Sequence, residues 1–462
     1  MMHYQNTIPR SVFRAYDIRG VIGKDLDEHS FYRIGLAIAC YLHDLQRQQI
    51  YVACDGRLTS PVLTAALKKG LLESGIDVVD LGAVATPVMY YATHTQGLDC
   101  GLMVTGSHNP ADYNGIKMVL AGKTLTQEHI DILYDLVTEG RRIFGQGSET
   151  SLDIIPEYMN RIVSGIETLR PLKIVVDCGN GIAGPIIPAV LTLLGHEVIP
   201  LYCDVDGHFP NHHPDPTVEE NLADLKEAIK IHQADIGLAF DGDADRLGLV
   251  TDQGEMIYPD RLMMFYAREV LARLPGATIV FDVKCSSDLE AVIKEAGGVA
   301  KMCPTGHSIV KAVMKDEQAV LAGEMSGHLF FKDRWYGFDD ALYSACRLLE
   351  ILSRSHLTVS QQFQLIPNSI NTPEIKIDIA DDKKFLFMSL FTAQADFSDA
   401  RIIRIDGLRV EFPNGWGLLR ASNTTPCLVA RFEATDKETL QQIQYLFKQQ
   451  INRFDAQLMV PF

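Results

Sequence analysis

The stretch I-Y-V-A-C-D, from Ile50 to Asp55, is an apolar strand that ends in an acid. The same pattern occurs twice more, as K-I-V-V-D from Lys173 to Asp177 and as T-I-V-F-D from Thr278 to Asp282. The copies follow one another at intervals of about 100–120 residues, too long for a solenoid repeat. Near-continuous apolar strands that alternate with helices predict mixed, mostly parallel sheets covered on both faces. The sequence therefore predicts three similar α/β domains.

The elements after each of these strands follow the same order. A helix-like stretch comes first, as at 60–74, where Ser60 can cap the helix, Pro61 suits its first turn and Gly75 suits its exit. A short β-branched run and another apolar strand follow, and this last strand breaks into a small polar loop in 102–110, 236–246 and 319–328. Because such sheets bind ligands beyond the carboxyl ends of their strands, we expect the chemistry in these three loops.

The C-terminal part of the chain has a different pattern. From about Asn368 it shows alternating strands, a D-G turn at 406–407 and a final amphipathic helix from Lys437 to about Phe454. This order predicts a small α+β domain with an antiparallel sheet. The predicted domains are 1–152, 153–254, 255–367 and 368–462.

Composition limits the classes of partner. The 462 residues include 42 Lys plus Arg and 59 Asp plus Glu, a formal charge of −17, which opposes nonspecific binding to nucleic acid or to anionic membranes. The longest apolar run, Ile34 to Leu42, is about half the ~20 residues of a membrane helix. The N-terminus lacks the pattern of a secretory signal, and the nine cysteines lack C-x-x-C spacing. We therefore expect a cytoplasmic protein with free thiols and no nucleic-acid or membrane partner. A monomer is a separate expectation that composition does not test.

The loop D-G-D-A-D-R places Asp241, Asp243 and Asp245 directly after an apolar strand. Three carboxylates on one tight turn repel each other unless a cation lies among them, and their hard oxygen atoms suit Mg²⁺. An EF-hand would have glycine in the sixth position and glutamate in the twelfth, where this chain has Arg246 and Asp252. We predict a magnesium site, and the alternative is a solvated acidic turn.

The loop T-G-S-H-N-P places Ser107 at a strand end, between Gly106 and His108. An exposed hydroxyl with a polar or metal-bound neighbour can accept a phosphoryl group. Taken alone, the same residues also suit an ordinary turn.

Two further motifs suggest other chemistry. G-N-G-I-A-G at 179–184, with Asp204 beyond it, matches the dinucleotide fingerprint, but no hydride-transfer site accompanies it, and a tight strand-to-helix turn explains the same glycines. His208, His212 and His213 suggest zinc, but the prolines among them favour an extended loop, and no fourth ligand has structural-zinc spacing.

Two loops offer groups that hold sugars and phosphates. G-E-M-S-G-H at 323–328 presents a carboxylate, a hydroxyl and an imidazole that can bind sugar hydroxyls. R-A-S-N-T-T-P at 420–426 presents a guanidinium, hydroxyls and backbone N–H groups that can bind a phosphate. Each alone could equally be a polar turn.

The combination of motifs is more specific than any one of them. Together with F-R-A-Y-D-I-R-G at 13–20, these loops resemble, in order and spacing, the α-D-phosphohexomutase superfamily across the whole chain, and most closely its bacterial phosphomannomutase/phosphoglucomutase group. The resemblance implies three topologically similar domains and a distinct fourth around a central cleft. It also implies that the glycine fingerprint is structural.

The resemblance also implies roles for individual residues. Ser107 matches the phosphoserine, and Asp241, Asp243, Asp245 and an oxygen of that phosphate match the ligands of Mg²⁺. Glu324 and Ser326 match the positions that hold sugar hydroxyls. The loop that holds the other phosphate is matched by Arg420, Ser422, Asn423 and Thr424. Further ligand contacts are matched by Tyr16, Arg19, Lys284, His307 and His328. The surroundings of the moving phosphoryl group are matched by His108, Lys117 and Arg246, and the acid and base are sought among Lys117, Arg246 and His307.

The implied reaction moves a phosphoryl group between O1 and O6 of glucose or mannose phosphate through a phosphoserine and a hexose 1,6-bisphosphate. Three other classes stay open at this point. A Mg²⁺-dependent phosphatase would use the same residues but release phosphate to water. A nicotinamide-dependent dehydrogenase would use the glycine fingerprint, and a sugar-phosphate sensor would bind without turnover.

Overall fold

The computed structural model describes residues 8–398, 400–422 and 425–462. Its first sheet, sheet I, has the strand order β1-β5-β4-β2-β3-β7, and β6 pairs with β5. The strands are β1 (Ile18–Val21), β2 (Gln49–Cys54), β3 (Asp77–Ala83), β4 (Gly101–Val104), β5 (Tyr113–Leu120), β6 (Lys123–Thr124) and β7 (Glu149–Ser151). The helices around it are α1 (Glu28–Asp44), α2 (Ser60–Leu72), α3 (Thr86–Thr95) and α4 (Gln127–Glu139).

Sheets II and III are smaller versions of the same arrangement. Sheet II has the order β12-β11-β10-β8-β9, and sheet III has the order β14-β13-β15-β16. The strands are β8 (Lys173–Asp177), β9 (Glu197–Leu201), β10 (Ile236–Phe240), β11 (Leu247–Thr251), β12 (Met256–Ile257), β13 (Thr278–Asp282), β14 (Val299–Cys303), β15 (Leu321–Gly323) and β16 (Leu329–Phe331). The helices are α5 (Ile155–Val163), α6 (Ile187–Leu193), α7 (Ala223–His232), α8 (Pro259–Arg273), α9 (Ser287–Glu295), α10 (His307–Asp316), α11 (Ala341–Ser353) and α12 (Val359–Gln364).

All three sheets contain the predicted repeat. In each, the first strand of the repeat (β2, β8 or β13) pairs in parallel with two neighbours. The last of these neighbours (β4, β10 or β15) then turns back into an antiparallel partner. The turns between them are the loops that carry Ser107, the three aspartates and Glu324. The topology therefore places the three predicted loops at the same point of three sheets.

Sheet IV is antiparallel, as predicted. Its order is β17-β22-β21-β20-β19, and β18 also pairs with β22. The strands are β17 (Ile370–Asn371), β18 (Ile375–Asp378), β19 (Arg401–Ile403), β20 (Leu408–Phe412), β21 (Gly415–Ala421) and β22 (Cys427–Ala434), and the helices are α13 (Asp381–Gln394) and α14 (Lys437–Phe454). Short 3₁₀ helices occur at Arg10–Val12 and Glu219–Leu222.

The start of α2 corrects one prediction from the sequence. Pro61 lies in the first turn, and Gly75 has a left-handed φ of +81° beyond the last turn, as expected. Ser60, however, does not cap the helix, because its hydroxyl donates to Asp55 Oδ1 at 2.5 Å. Thr59 occupies the N-cap without a side-chain capping bond. The prediction was wrong because a buried carboxylate from the preceding strand binds the hydroxyl.

Apolar packing joins the first three sheets in one large cluster, and a small cluster of Val283, Trp416 and Leu418 joins the fourth sheet to the third. One buried cluster runs through sheets I, II and III and includes Tyr91, Tyr158 and Trp335. Sheet IV has its own cluster. It is fastened to sheet III by two buried arginines: Arg409 donates to the carbonyls of Val283 and Cys285, and Arg431 donates to Asp260.

Two expectations from composition can be compared with the structure. All nine cysteines are free thiols, and eight of them are buried. Within the described ranges, no helix has the length and hydropathy needed to cross a bilayer.

A buried ion-pair network in sheet III gives a test of stability. Arg347, which is fully buried on α11, contacts Asp333 at 2.9 Å and Glu269 of α8 at 3.0 Å. Arg347→Met should lower the free energy of unfolding by about 3–5 kcal/mol, because it removes the fully buried cation of these carboxylates and leaves them mainly the partly exposed Arg273. Arg401→Met removes an exposed pair with Glu411 and should cost about 1 kcal/mol or less. Equal shifts of the denaturation midpoint in the two variants would contradict this account.

Candidate active site

A cavity of about 540 Å³ lies where the four sheets meet, within the range of ordinary small-ligand sites. The predicted residues that line it are Tyr16, Arg19, Ser107, His108, Lys117, Arg246, Lys284, His307, Glu324, Ser326, His328, Arg420 and Ser422. Asp241, Asp243 and Asp245 are buried beside it. Asn423 and Thr424 lie outside the described residues. The structure thus brings residues more than 400 positions apart in the sequence into one site.

Ser107 is held in an unusual backbone conformation at the end of β4. Its φ is +49°, in the left-handed region that favours glycine, and the residue is 1% exposed. Its Oγ donates to Asp241 Oδ2 at 3.0 Å and lies 3.3 Å from His108 Nδ1. Strained conformations of this kind concentrate at functional sites. The hydroxyl is therefore fixed against the acidic loop of sheet II.

Arg57 organises the loop that carries Ser107. Its buried guanidinium donates to the carbonyls of Ser107 (2.7 Å), Asn109 and Tyr113 (3.1 Å). Gly106 lets the guanidinium approach, since a Cβ there would lie 2.5 Å from Arg57 Cζ. Asp55, the acid that ends β2, pairs with Arg57 and accepts from Thr105 and Gly106. This strand-end acid therefore fixes the serine loop.

The three aspartates form a buried cluster whose charge is balanced from sheet I. Carboxylate oxygens of Asp241, Asp243 and Asp245 lie within 4.8 Å of one another. Lys117 on β5 donates to Asp243 at 2.7 Å and also to Asp245. Thr86 at the start of α3 donates to Asp243 at 2.5 Å. Sheets I and II are thus joined through this cluster.

The electrostatics of the cluster fit a divalent cation. Burial raises the pKa of Asp241 well above its usual value, and repulsion by Asp245 and Asp243 adds to the rise. Burial also disfavours the charge on Asp243, but attraction to Lys117 and hydrogen bonds from Lys117 and Thr86 bring its pKa below the usual value. Oδ1 of Asp243 and Oδ1 of Asp245 are buried without hydrogen-bond partners. Hard oxygen donors left unpaired in this way are suitable ligands for Mg²⁺.

Glu324 is presented to the cavity by its neighbours in sheet III. Its Oε1 accepts from the backbone N–H of Gly306 at 2.6 Å, while its buried Oε2 has no partner. Burial raises the pKa of Glu324 to about 7. Asp282, the acid that ends β13, accepts from the backbone N–H of Met325 at 3.1 Å. A strand-end acid therefore fixes this loop too.

Three cations of the cavity are each paired with an acid. Arg19 contacts Asp17 at 2.6 Å, Lys284 contacts Glu374 at 2.5 Å, and Arg420 contacts Asp406 at 2.8 Å. Arg420 keeps one terminal nitrogen buried without a hydrogen-bond partner. These pairs hold cations in place at both ends of the cavity, which makes the site suitable for an anionic ligand despite the net charge of the chain.

Three imidazoles line the site, of which His307 and His328 are buried and His108 is half-buried. Burial lowers the pKa of His108 well below its usual value, and the nearby Arg246 and Arg19 lower it further, so the ring is neutral. The rings of His307 and His328 stack with centroids 5.5 Å apart, and Tyr16 packs edge-on against His307. His328 Nε2 accepts from Arg246 Nε at 3.2 Å.

The two competing motifs have structural explanations. A Cβ on Gly181 would lie 2.9 Å from the carbonyl oxygen of Gly242, and one on Gly184 would lie 2.0 Å from that of Cys203, so these glycines allow close packing against the acidic loop and the segment after β9. His212 contacts Asp177 at 2.9 Å. Across residues 8–398, 400–422 and 425–462, neither group with metal-ligand spacing contains His208, His212 or His213.

Several site residues were missed from the sequence. Arg57, Thr86, Glu374 and Asp406 contact predicted site residues, and Asp339 lies 3.2 Å from His328. Only Arg57 had a local signal, since it follows a repeated strand-end acid by two positions. Thr86 and Glu374 contact partners 157 and 90 positions away. Asp339 and Asp406 lie nearer to theirs in the chain, and the D-G turn at Asp406 gave a sign of a turn but not of a site.

Comparison with known proteins agrees with this architecture. Four family models match consecutive parts of the chain: phosphoglucomutase/phosphomannomutase alpha/beta/alpha domains I (residues 10–143), II (156–254) and III (258–369), and the C-terminal domain (374–449). The chain belongs to the phosphoglucomutase/phosphomannomutase family. The predicted fold class and the resemblance are confirmed.

Individual relatives cover nearly the whole chain. A phosphomannomutase/phosphoglucomutase of Pseudomonas putida is 50% identical over 455 residues, 98% of each chain. A phosphoglucomutase of Neisseria meningitidis is 50% identical over 445 residues, 96% of each chain. A crystal structure of a family protein from Burkholderia thailandensis has a TM-score of 0.93 and 47% identity, and covers 99% of this chain and 100% of its own.

The position of Lys117 gives a test of the metal site. Its ammonium pairs with two of the three carboxylates that would bind Mg²⁺, so it competes with the ion. In a Ser107→Ala background, Lys117→Met should bind Mg²⁺ about 10-fold more tightly by calorimetry, because it removes a nearby positive charge. Asp243→Asn in the same background should bind it more weakly. Weaker binding by Lys117→Met would mean that the ammonium supports the carboxylates rather than competing with the metal.

Proposed function

We propose that this protein is a phosphohexomutase that interconverts the 1-phosphate and 6-phosphate of mannose and of glucose. The observation that carries the proposal is the position of Ser107, whose Oγ lies 3.0 Å from a buried carboxylate of the acidic cluster in a cavity lined with cations. The phosphoryl group would be carried on Ser107, and hexose 1,6-bisphosphate would be the intermediate and activator.

The first half-reaction uses a phosphorylated Ser107. The free sugar hydroxyl attacks the phosphorus, its new P–O bond forms as the P–Oγ bond breaks, and its proton leaves to a base. The bisphosphate then turns around in the cleft, and its other phosphate returns to Ser107. Mg²⁺ held by Asp241, Asp243 and Asp245 would neutralise charge on the moving group. Phosphoryl transfer needs mainly alignment and charge neutralisation, which these residues and the nearby cations supply.

His108 is suited to the proton on the serine side. Its neutral ring lies with Nδ1 at 3.3 Å from Ser107 Oγ, so Nδ1 can take the hydroxyl proton when the serine attacks and return it when the serine leaves. We propose that Lys117 and Arg246 stabilise the transferring group and that His307 is a further candidate for acid or base.

Both orientations of the substrate would use the same contacts. The free Oε2 of Glu324 and the hydroxyl of Ser326 would hold the hydroxyls at C3 and C4, which exchange places when the ring turns around. These contacts do not involve the hydroxyl at C2, where glucose and mannose differ, so we propose activity on both sugars. The names of the relatives do not favour one sugar, since the Pseudomonas putida protein is named for both sugars, the Neisseria meningitidis protein is named for glucose alone, and both are 50% identical to this chain.

The phosphate that is not transferred would be held at the far end of the cavity. Arg420, Ser422, Asn423 and Thr424 form the proposed loop for it, and Tyr16, Arg19, Lys284 and His328 would contact the rest of the ligand. The domain limits 152, 254 and 367, the monomeric state and the cytoplasmic location stay predictions from the sequence.

Phosphorylation of Ser107 gives the main test. The purified protein should weigh one phosphate more than its sequence in at least part of the sample, and labelled phosphoenzyme should transfer its label to glucose 1,6-bisphosphate and glucose 6-phosphate. Ser107→Ala should lose the label and nearly all turnover, whereas Ser164→Ala, at an exposed helix end, should keep both. Release of the label chiefly as inorganic phosphate would favour the Mg²⁺-dependent phosphatase instead.

Ionisation of Glu324 gives a test of the sugar contact. Because its raised pKa is about 7, the carboxylate that accepts sugar hydroxyls is lost as pH falls through 7, so kcat/KM should rise with pH across this range. Glu324→Gln should lower kcat/KM about 10–150-fold for both sugars and remove that rise. The phosphate of the substrate also ionises, near pH 6, and affects the parent and the variant equally. The comparison of the two pH profiles therefore isolates the contribution of Glu324. If kcat/KM of the variant still rose with pH near 7, or if kcat/KM fell for only one of the two sugars, the assignment would be refuted.

A further inference from the structure

Asp339 is a buried carboxylate to which the proposed reaction gives no role. It lies between β16 and α11 and has no exposed surface. Its Oδ1 accepts from Lys311 Nζ at 2.8 Å. Its Oδ2 lies 3.2 Å from His328 Nδ1 and 3.5 Å from His307 Nδ1, so it faces both imidazoles that line the cavity.

The partners of His328 define which ring nitrogen carries the proton. Nε2 accepts a hydrogen bond from Arg246 Nε at 3.2 Å, and a neutral imidazole has only one N–H group. The proton therefore resides on Nδ1. Nδ1 and Asp339 Oδ2 are both buried without another hydrogen-bond partner, and their separation of 3.2 Å is within hydrogen-bond distance. Asp245 Oδ1 is farther away, at 3.5 Å.

We propose that Asp339 is a positioning residue that keeps His328 in its Nδ1–H tautomer and thereby holds Arg246 towards the cavity. The proposal rests on the proposed function, in which Arg246 stabilises the moving phosphoryl group. The chain of contacts runs from Lys311 through Asp339 and His328 to Arg246.

Lys311 explains how the carboxylate of Asp339 can stay ionised although it is fully buried. Its ammonium lies 4.1 Å from the centre of the Tyr90 ring and pairs with Asp339, which compensates the cost of burying the carboxylate. An amide at position 339 could instead donate to Nδ1. The ring would then carry its proton on Nε2, where it would face the N–H groups of Arg246 and leave the guanidinium without its acceptor.

Nitrogen NMR of the histidine-labelled holoenzyme at about pH 8 tests the tautomer directly, with His328 assigned through the spectrum of His328→Asn. The parent should show Nδ1–H and an unprotonated Nε2 for His328. Asp339→Asn should shift the ring towards Nε2–H. His196, whose Nδ1 accepts from the backbone of Leu172 at 3.2 Å, is an internal reference that should stay unchanged. An Nε2–H ring or an imidazolium in the parent overturns the proposal without any variant having to fold.

Kinetics test whether the tautomer matters for turnover. Asp339→Asn should lower kcat about 10–100-fold and change KM by less than about 3-fold, as expected for loss of a residue that orients a ligand-contacting group. Asp333→Asn removes another buried carboxylate from the same segment, one that pairs with Arg347 and Arg273, and should lower the melting temperature but leave kcat unchanged. Unchanged kcat in Asp339→Asn, or an equal loss in Asp333→Asn, overturns the proposal. An inactive parent would instead refute the mutase function while leaving the tautomer measurement valid.

Discussion

The structure depends on the compensation of three buried negative charges. Asp241, Asp243 and Asp245 cannot stay ionised together in a buried loop unless cations and hydrogen-bond donors surround them. Sheet II does not supply enough of these. Lys117, Thr86 and the hydroxyl of Ser107 come from sheet I, and they reach the acidic loop across the junction of the two sheets. The junction and the reactive site are therefore the same set of contacts, so a change in the packing of these sheets would also misplace the serine.

The acids that end the first strand of each repeat also fix the loops, because they accept hydrogen bonds from them. Asp55 receives donors from the serine loop, and Asp282 receives one from the loop of Glu324. Asp177 accepts from the backbone of Gly179 in the glycine-rich turn, and that turn packs on the acidic loop. In each sheet a buried carboxylate thus converts a flexible polar loop into a fixed one. This gives the repeated acid a structural reason that is independent of catalysis.

The chain has a negative net charge, yet its cavity is lined with cations. The two are compatible because surface charges and cavity charges act on a ligand over different distances. The overall charge of −17 is spread over the surface, where solvent ions screen it beyond about 8 Å. Within the cavity, Arg19, Lys284 and Arg420 lie close to any ligand, and each is held by an acid, Asp17, Glu374 or Asp406. A phosphate entering the site shares these cations with the acids, which suits a ligand that must be bound firmly and yet turn around.

The repeat, the fold class and the acidic loop follow from apolar strands, glycine turns and clustered aspartates, which are local patterns of the sequence with local causes, whereas most of the other site residues were assigned through the resemblance of their motifs to a known family. The groups that surround these residues became visible in the folded chain. Ser60 binds Asp55 rather than capping its helix, and Thr86, Glu374 and Asp339 lie in stretches with no distinctive pattern. Their partners are up to 157 positions away in the chain. Thr86 and Glu374 meet their partners where one sheet's unit packs against another, and Ser60 and Asp339 meet theirs where loops of one unit fold together. Apart from the repeated strand-end acids, the residues that hold the reactive groups in place therefore lack a local pattern by which the sequence would reveal them.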